Sequence, residues 1–216
     1  MSRRALVFDF DGTIALSEPV HIEAWKDVAK LWQRPLPNGF LERGIGLSDE
    51  QLSAELAVSW QDSPDYATLL AAKRKAYQTR CPTESILVPG IAAALASLAE
   101  FYPLGIATSA CVGDIEPVLT RFGLAHYFSA IVTIADVTHA KPDPEIYLTA
   151  CARLGAEPEL CVAFEDSLAG VTAARSAGLS VVALLTTYER PVLEPVAHAL
   201  RDFIDLAALL NWLRPE

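Results

Sequence analysis

No apolar run in this sequence approaches the roughly eighteen residues that a bilayer-spanning helix needs, so no membrane span is expected. The start, Met1-Ser2-Arg3-Arg4, lacks the apolar core of a signal peptide and runs straight into a hydrophobic stretch, and a cytoplasmic location is the expectation. Basic residues are scarce. Lys and Arg number 17 against 27 Asp and Glu, and the resulting net charge of −10 argues against nucleic acid as a partner. The one dense basic cluster, Lys73-Arg74-Lys75, reads as a solvated helix face. Cysteines number only four, at 81, 111, 151 and 161, with no C-x-x-C spacing, so they read as reduced and structural and zinc is not expected. Internal repeats and low-complexity tracts are missing too.

What is present is a globular composition, 52% hydrophobic and 20% charged over 216 residues. That length suits one large domain, or one with a small insert, and a monomer is expected.

The organising stretch is Asp9-Phe10-Asp11-Gly12-Thr13. The run Ala5-Leu6-Val7-Phe8 before it reads as a buried parallel strand, delivering two carboxylates at its carboxyl end. Side chains at i and i+2 of an extended segment share a face, so Asp9 and Asp11 can converge on one small volume. At about 4 Å and an effective dielectric near 20 they repel by roughly 4 kcal/mol. A shared proton, a cation, or both must offset that. A hard cation such as Mg²⁺ is held by one or two carboxylates plus phosphate oxygens. The pair therefore points to one carboxylate that binds metal and attacks phosphorus, beside one that moves protons.

Periodicity divides the chain. Ser17-Glu18-Pro19 looks like a helix start with a capping hydroxyl, and Ile22, Trp25, Val28, Ala29 and Trp32 follow at helical spacing. Pro35-Leu36-Pro37-Asn38-Gly39 ends that helix, and further helices are predicted over Ser48–Val58 and Pro64–Thr79. This all-helical block, residues 15–87, reads as an inserted cap with hinges near 14–18 and 83–90. Beyond Val88 helix and strand alternate, with apolar strands at 104–108, 130–133, 161–165 and 180–184. Residues 1–14 and 88–216 thus form an α/β core, a doubly wound, Rossmann-like parallel sheet covered on both faces. The stretch Arg201–Leu213 has room for a short strand and a helix.

Ligands of open parallel sheets bind outside the strands' carboxyl ends. Those ends carry Asp9 and Asp11, then Thr108 and Ser109, then Lys141 just ahead of a helix, then Glu165, Asp166 and Ser167. Four carboxylates, one ammonium and a set of hydroxyls call for a divalent cation.

The segments Asp9-Phe10-Asp11-Gly12-Thr13, Thr108-Ser109, Lys141-Pro142-Asp143-Pro144 and Glu165-Asp166-Ser167 resemble, in order, the four motifs of the haloacid dehalogenase superfamily. The helical block after the first motif is similar to the cap of the subgroup containing β-phosphoglucomutase and many small-molecule phosphatases. By that resemblance Asp9 is the nucleophile that becomes an aspartyl-phosphate, and Asp11 is the general acid/base. Mg²⁺ would be ligated by Asp9, the Asp11 carbonyl and Asp166, with Glu165 near the metal or its waters. Thr108 and Lys141 would hold the phosphoryl group. Asp11 excludes the dehalogenase chemistry, which lacks a second aspartate.

His21 matches a cap-hinge histidine of β-phosphoglucomutase. Against a mutase, Asp49 after Gly46-Leu47-Ser48 stands where that enzyme has a phosphate-binding arginine, and Ala110-Cys111-Val112 replaces polar ligands. The expected activity is a Mg²⁺-dependent phosphatase acting on a small phosphorylated metabolite, a sugar or polyol monophosphate, with a phosphomutase as the alternative. Glu18, Ser48 and Lys73 are the cap candidates for substrate contact, with Ser109 beside the phosphoryl site.

Overall fold

The computed structural model describes residues 4–44, 47–60, 64–84, 86–200 and 203–213. Gly46, the tripeptide Met1-Ser2-Arg3 and residues 201–202 of the expected C-terminal strand lie outside them. Two compact units divide the chain, Met1–Leu16 with Ile86–Glu216, and Ser17–Ser85.

The first unit is a six-stranded sheet plus a two-stranded ribbon. Its strands are β1 (Leu6–Phe8), β2 (Ala15–Leu16), β3 (Ile86–Leu87), β4 (Leu104–Ala107), β5 (Phe128–Val132), β6 (Val162–Glu165), β7 (Ser180–Ala183) and β8 (Ala199–Leu200). The sheet runs β5-β4-β1-β6-β7-β8 and every pairing in it is parallel. β1 lies at the centre, where the chain goes first to β4 and β5 and later returns to β6 and β7 on the other side. That reversal is the topological switch point at which such sheets bind ligands.

Alternation along β1 explains why both faces are covered. Val7 joins a core with Ile146, Tyr147 and Ala150 of the helix Glu145–Leu154 and Val171, Ala173 and Ala174 of the helix Leu168–Ser176. Phe8 turns to the opposite face, stacked on Phe164 with centroids 4.5 Å apart and tilted against Phe203 at 6.2 Å. A strand apolar on both sides therefore has no solvent-facing face to offer. β2 and β3 pair antiparallel, Ala15 with Leu87 and Leu16 with Ile86, across the points where the chain leaves and rejoins this unit. The C-terminal strand, β8, comes at 199–200, just ahead of the segment in which the sequence suggested one, and is followed by a helix over Leu206–Leu213.

The second unit holds only helices among its described residues: Glu18–Leu31, Phe40–Gly44, Asp49–Ser59 and Tyr66–Glu84. Its core gathers Trp25, Val28, Phe40, Leu52, Leu56, Trp60 and Leu69. Ser17 stands at the first helix's N-cap, but its side chain makes no capping hydrogen bond, contrary to the pattern read from Ser17-Glu18-Pro19. Ser48 does cap, its Oγ accepting from Gln51 N and its own N–H reaching Gln51 Oε1. The last helix runs to Glu84, past the predicted end at Thr79. Arg80 accounts for that extra turn, tied to Glu84 at 3.0 Å and to Asp27 of the first helix at 2.8 Å.

Candidate active site

Three buried carboxylates meet at the carboxyl end of the sheet. Oxygens of Asp9, Glu165 and Asp166 all lie within 4.8 Å of one another. Asp9 is set by β1, its N–H donating to Phe164 O at 2.9 Å. Glu165 ends β6 and Asp166 follows it. Lys141, on the loop before the helix Glu145–Leu154, reaches into this group with Nζ 2.7 Å from Asp9 Oδ1 and 2.6 Å from Glu165 Oε1.

Glu165 is wholly buried and fully engaged. Oε1 accepts from Lys141 and from Tyr147 O–H at 2.9 Å, and Oε2 accepts from Asp166 N, Ser167 N and Ser167 Oγ, each at 3.0 Å. The helix Leu168–Ser176 packs against the carboxylate so closely that a Cβ at Gly170 would stand 1.6 Å from Oε1. Glu165 thus anchors Lys141 and the start of the helix Leu168–Ser176. Asp9 Oδ2 and Asp166 Oδ1, by contrast, meet no donor among the described residues. Three acids against one ammonium, with two oxygens left over, fit a hard divalent cation.

The electrostatics agree. Burial pushes the Asp9 carboxyl up to about 7, Lys141 opposes that, and Glu165 and Asp11 add to it. Asp166 is held well above the ordinary carboxylate range by burial, with Glu165 and Asp9 contributing. Burial works against the Lys141 ammonium, yet Asp9 and Glu165 outweigh it and keep its pKa above the usual lysine value. A site this hostile to its own negative charges favours a proton or a cation.

The remaining predicted residues fall in two places. Thr108 and Ser109 follow β4 at the same end of the sheet. Thr108 is buried, its N–H donating to Val132 O at 3.0 Å and its Oγ1 accepting from Ala110 N at 3.0 Å. Asp11 is half-buried and acts on Asp9 through its charge, but its carboxylate is not one of the three that meet. Cys111 caps the next helix with Asp114, Sγ to Oδ2 at 2.9 Å.

His21, Glu18, Ser48 and Lys73 belong to the helical unit. Lys73 is not the solvated lysine that its basic neighbours suggested. Its side chain is fully buried, with Nζ 2.5 Å from Asp49 Oδ2 and 2.6 Å from His21 Nδ1. An ammonium donates there, so His21 accepts at Nδ1.

Two features escaped the sequence reading. Tyr147 lies inside a helix whose apolar spacing disguises its hydroxyl. Thr186 and Thr187 stand just beyond β7, a fifth strand end, and that position is the signal for them in the sequence. Thr186 Oγ1 donates to Gly12 O at 2.6 Å, and Thr187 Oγ1 to Asp166 Oδ2.

A six-stranded parallel sheet with a carboxylate–lysine cluster at its switch point defines a hydrolase of the haloacid dehalogenase type. Residues 6–184 match the haloacid dehalogenase-like hydrolase family, and the chain belongs to it. It is 32% identical to validoxylamine A 7'-phosphate phosphatase of Streptomyces hygroscopicus subsp. limoneus over 208 residues, 94% of this chain and 95% of that protein. It is 33% identical to β-phosphoglucomutase of Bacillus subtilis, over 83% of this chain and 82% of that one. The crystal structure of CbbY from Rhodobacter sphaeroides in complex with phosphate superposes with a TM-score of 0.82 at 27% identity, over 95% of this chain and 96% of that one.

Proposed function

We propose that the chain is a Mg²⁺-dependent phosphatase hydrolysing a small phosphorylated sugar or polyol through an aspartyl-phosphate on Asp9. The observation that carries this reading is the buried trio Asp9, Glu165 and Asp166, balanced among the described residues by Lys141 alone. In the reaction, an oxygen of Asp9 attacks phosphorus while Asp11 protonates the departing alcohol oxygen. Asp11 then takes a proton from the water that releases phosphate. Thr108, Ser109 and Lys141 hold the phosphoryl oxygens as charge shifts. Asp9, Asp166 and the Asp11 carbonyl would hold Mg²⁺, which when bound draws negative charge off the transferring group. Glu165 supports this set through Lys141.

The helical unit acts in this reading as a cap that excludes water from the site and selects the leaving group. A monophosphate substrate suits it. Among the described residues Lys73 is its one buried cation, and Asp49 and His21 already claim that charge. A relative named validoxylamine A 7'-phosphate phosphatase supports the same class of substrate. The same reading has the enzyme working as a cytoplasmic monomer on a free metabolite.

A panel of sugar and polyol monophosphates tests it. Phosphate release should require Mg²⁺, stop with EDTA, and be abolished by Asp9→Asn. Turnover untouched by EDTA would sink the metal-assisted mechanism, and isomer formation from β-glucose 1-phosphate outpacing phosphate release would make it a mutase.

A further inference from the structure

We infer that the consecutive hydroxyls of Thr186 and Thr187 form a clip that sets the cation-binding geometry of Asp166 and of the turn at Gly12, making both threonines positioning residues. The inference rests on the metal reading above and extends it to a strand end that contributes no charge.

Three loops converge here, each from a different strand. Gly12 lies in the turn after β1, Asp166 follows β6, and Thr186-Thr187 follow β7. Thr186 Oγ1 donates to Gly12 O at 2.6 Å, and Gly12 N donates to Ala15 O at 2.7 Å, so both polar groups of that peptide unit's glycine are held. Thr187 Oγ1 donates to Asp166 Oδ2. Packing ties the two bonds together, because a Cβ on Gly12, at φ +71°, would lie 1.9 Å from Asp166 Oδ2 and 2.9 Å from Thr187 Oγ1.

A carboxylate can turn about its last bond and present either oxygen. With Oδ2 claimed by Thr187 on one side and pressed against Gly12 on the other, Asp166 presents Oδ1. That oxygen meets no donor among the described residues and is the one left for a cation. A hydroxyl suits this role because it is neutral: it orients the anion without cancelling the charge that attracts the metal. Partners of this kind change metal affinity by about 10–100-fold when removed.

The test is direct Mg²⁺ binding by calorimetry on the full-length chain, with Mg²⁺-dependent phosphatase activity as a parallel readout. Thr187→Val keeps the shape and deletes the donor, and Thr187→Ser restores it. The expected result is a Kd for Mg²⁺ raised about tenfold or more in Thr187→Val, within twofold of wild type in Thr187→Ser, and raised further in the Thr186→Val/Thr187→Val double variant. Thermal melts of the metal-free variants identify any that fail to fold, in which case the serine series carries the comparison through Thr187→Ser against Thr187→Cys. Wild type that binds Mg²⁺ beside a Thr187→Val that binds it equally well overturns the clip alone. Wild type that binds no Mg²⁺ at all overturns the metal reading, and the clip with it.

Discussion

Replacing Lys141 with methionine removes the one positive charge that the described residues bring to a cluster of three buried acids. The ammonium donates to Asp9 Oδ1 at 2.7 Å and Glu165 Oε1 at 2.6 Å, with 6% of its side chain exposed. Methionine fills nearly the same volume, so the loss is electrostatic rather than a cavity. Breaking a buried pair by deleting one partner costs about 3–5 kcal/mol, because the other charge stays behind uncompensated. For a chain of this size that corresponds to a fall in Tm of roughly 6–20 °C.

The pH dependence identifies the cause. Asp9 already has its carboxyl raised to about 7 with Lys141 opposing the rise, so without Lys141 it climbs further. The folded variant then holds a proton that the unfolded chain releases above the ordinary carboxylate range, and its stability falls as pH rises. Urea unfolding at pH 5.5 and pH 8, without metal, should show the Lys141→Met deficit several-fold smaller at the lower pH. A deficit under about 1 kcal/mol at pH 8, or one equal at both pH values, would refute the argument that uncompensated carboxylates are the cost.

Asp9→Asn should flatten the metal-free stability profile of the wild type. Folded Asp9 has its pKa raised to about 7 from 3.8, so it lowers stability as pH climbs through that window, and the neutral amide removes this slope in urea titrations from pH 4.5 to 7.5. Gly12→Ala places a methyl 1.9 Å from Asp166 Oδ2 on backbone at φ +71°, and should cost about 1–2 kcal/mol in backbone strain alone while abolishing phosphatase activity, read by melts and a phosphate assay. Tyr147→Phe deletes one neutral donor to the Glu165 anion, and about 1.5–3 kcal/mol of stability should go with it in urea unfolding. In the helical unit, Lys73→Met strands Asp49 and should cost about 3–5 kcal/mol, whereas adding Asp49→Asn should recover part of that loss in a double-mutant cycle.

Local chemistry made much of this protein legible in its sequence. Ala5-Leu6-Val7-Phe8 is apolar on both faces, a run that suits a strand buried on both sides, so the parallel sheet was legible at that scale. The positions of Asp9, Thr108 and Asp166 were legible because each follows a strand that announces itself, and that of Lys141 because it stands just ahead of a helix start. Tertiary structure decided the rest. Lys73 sits in a basic triplet that looks solvated, and only the packing of three helices brings Asp49 and His21 to its ammonium. Glu165 reads like Asp166 along the chain, yet five donors from four residues enclose it and leave the outward oxygen to its neighbour. Thr186 meets Gly12 across 174 residues of sequence, a separation at which no periodicity carries information. What a residue does to its own segment is written in its neighbours along the chain; what donates to its oxygens depends on which strands the sheet sets side by side.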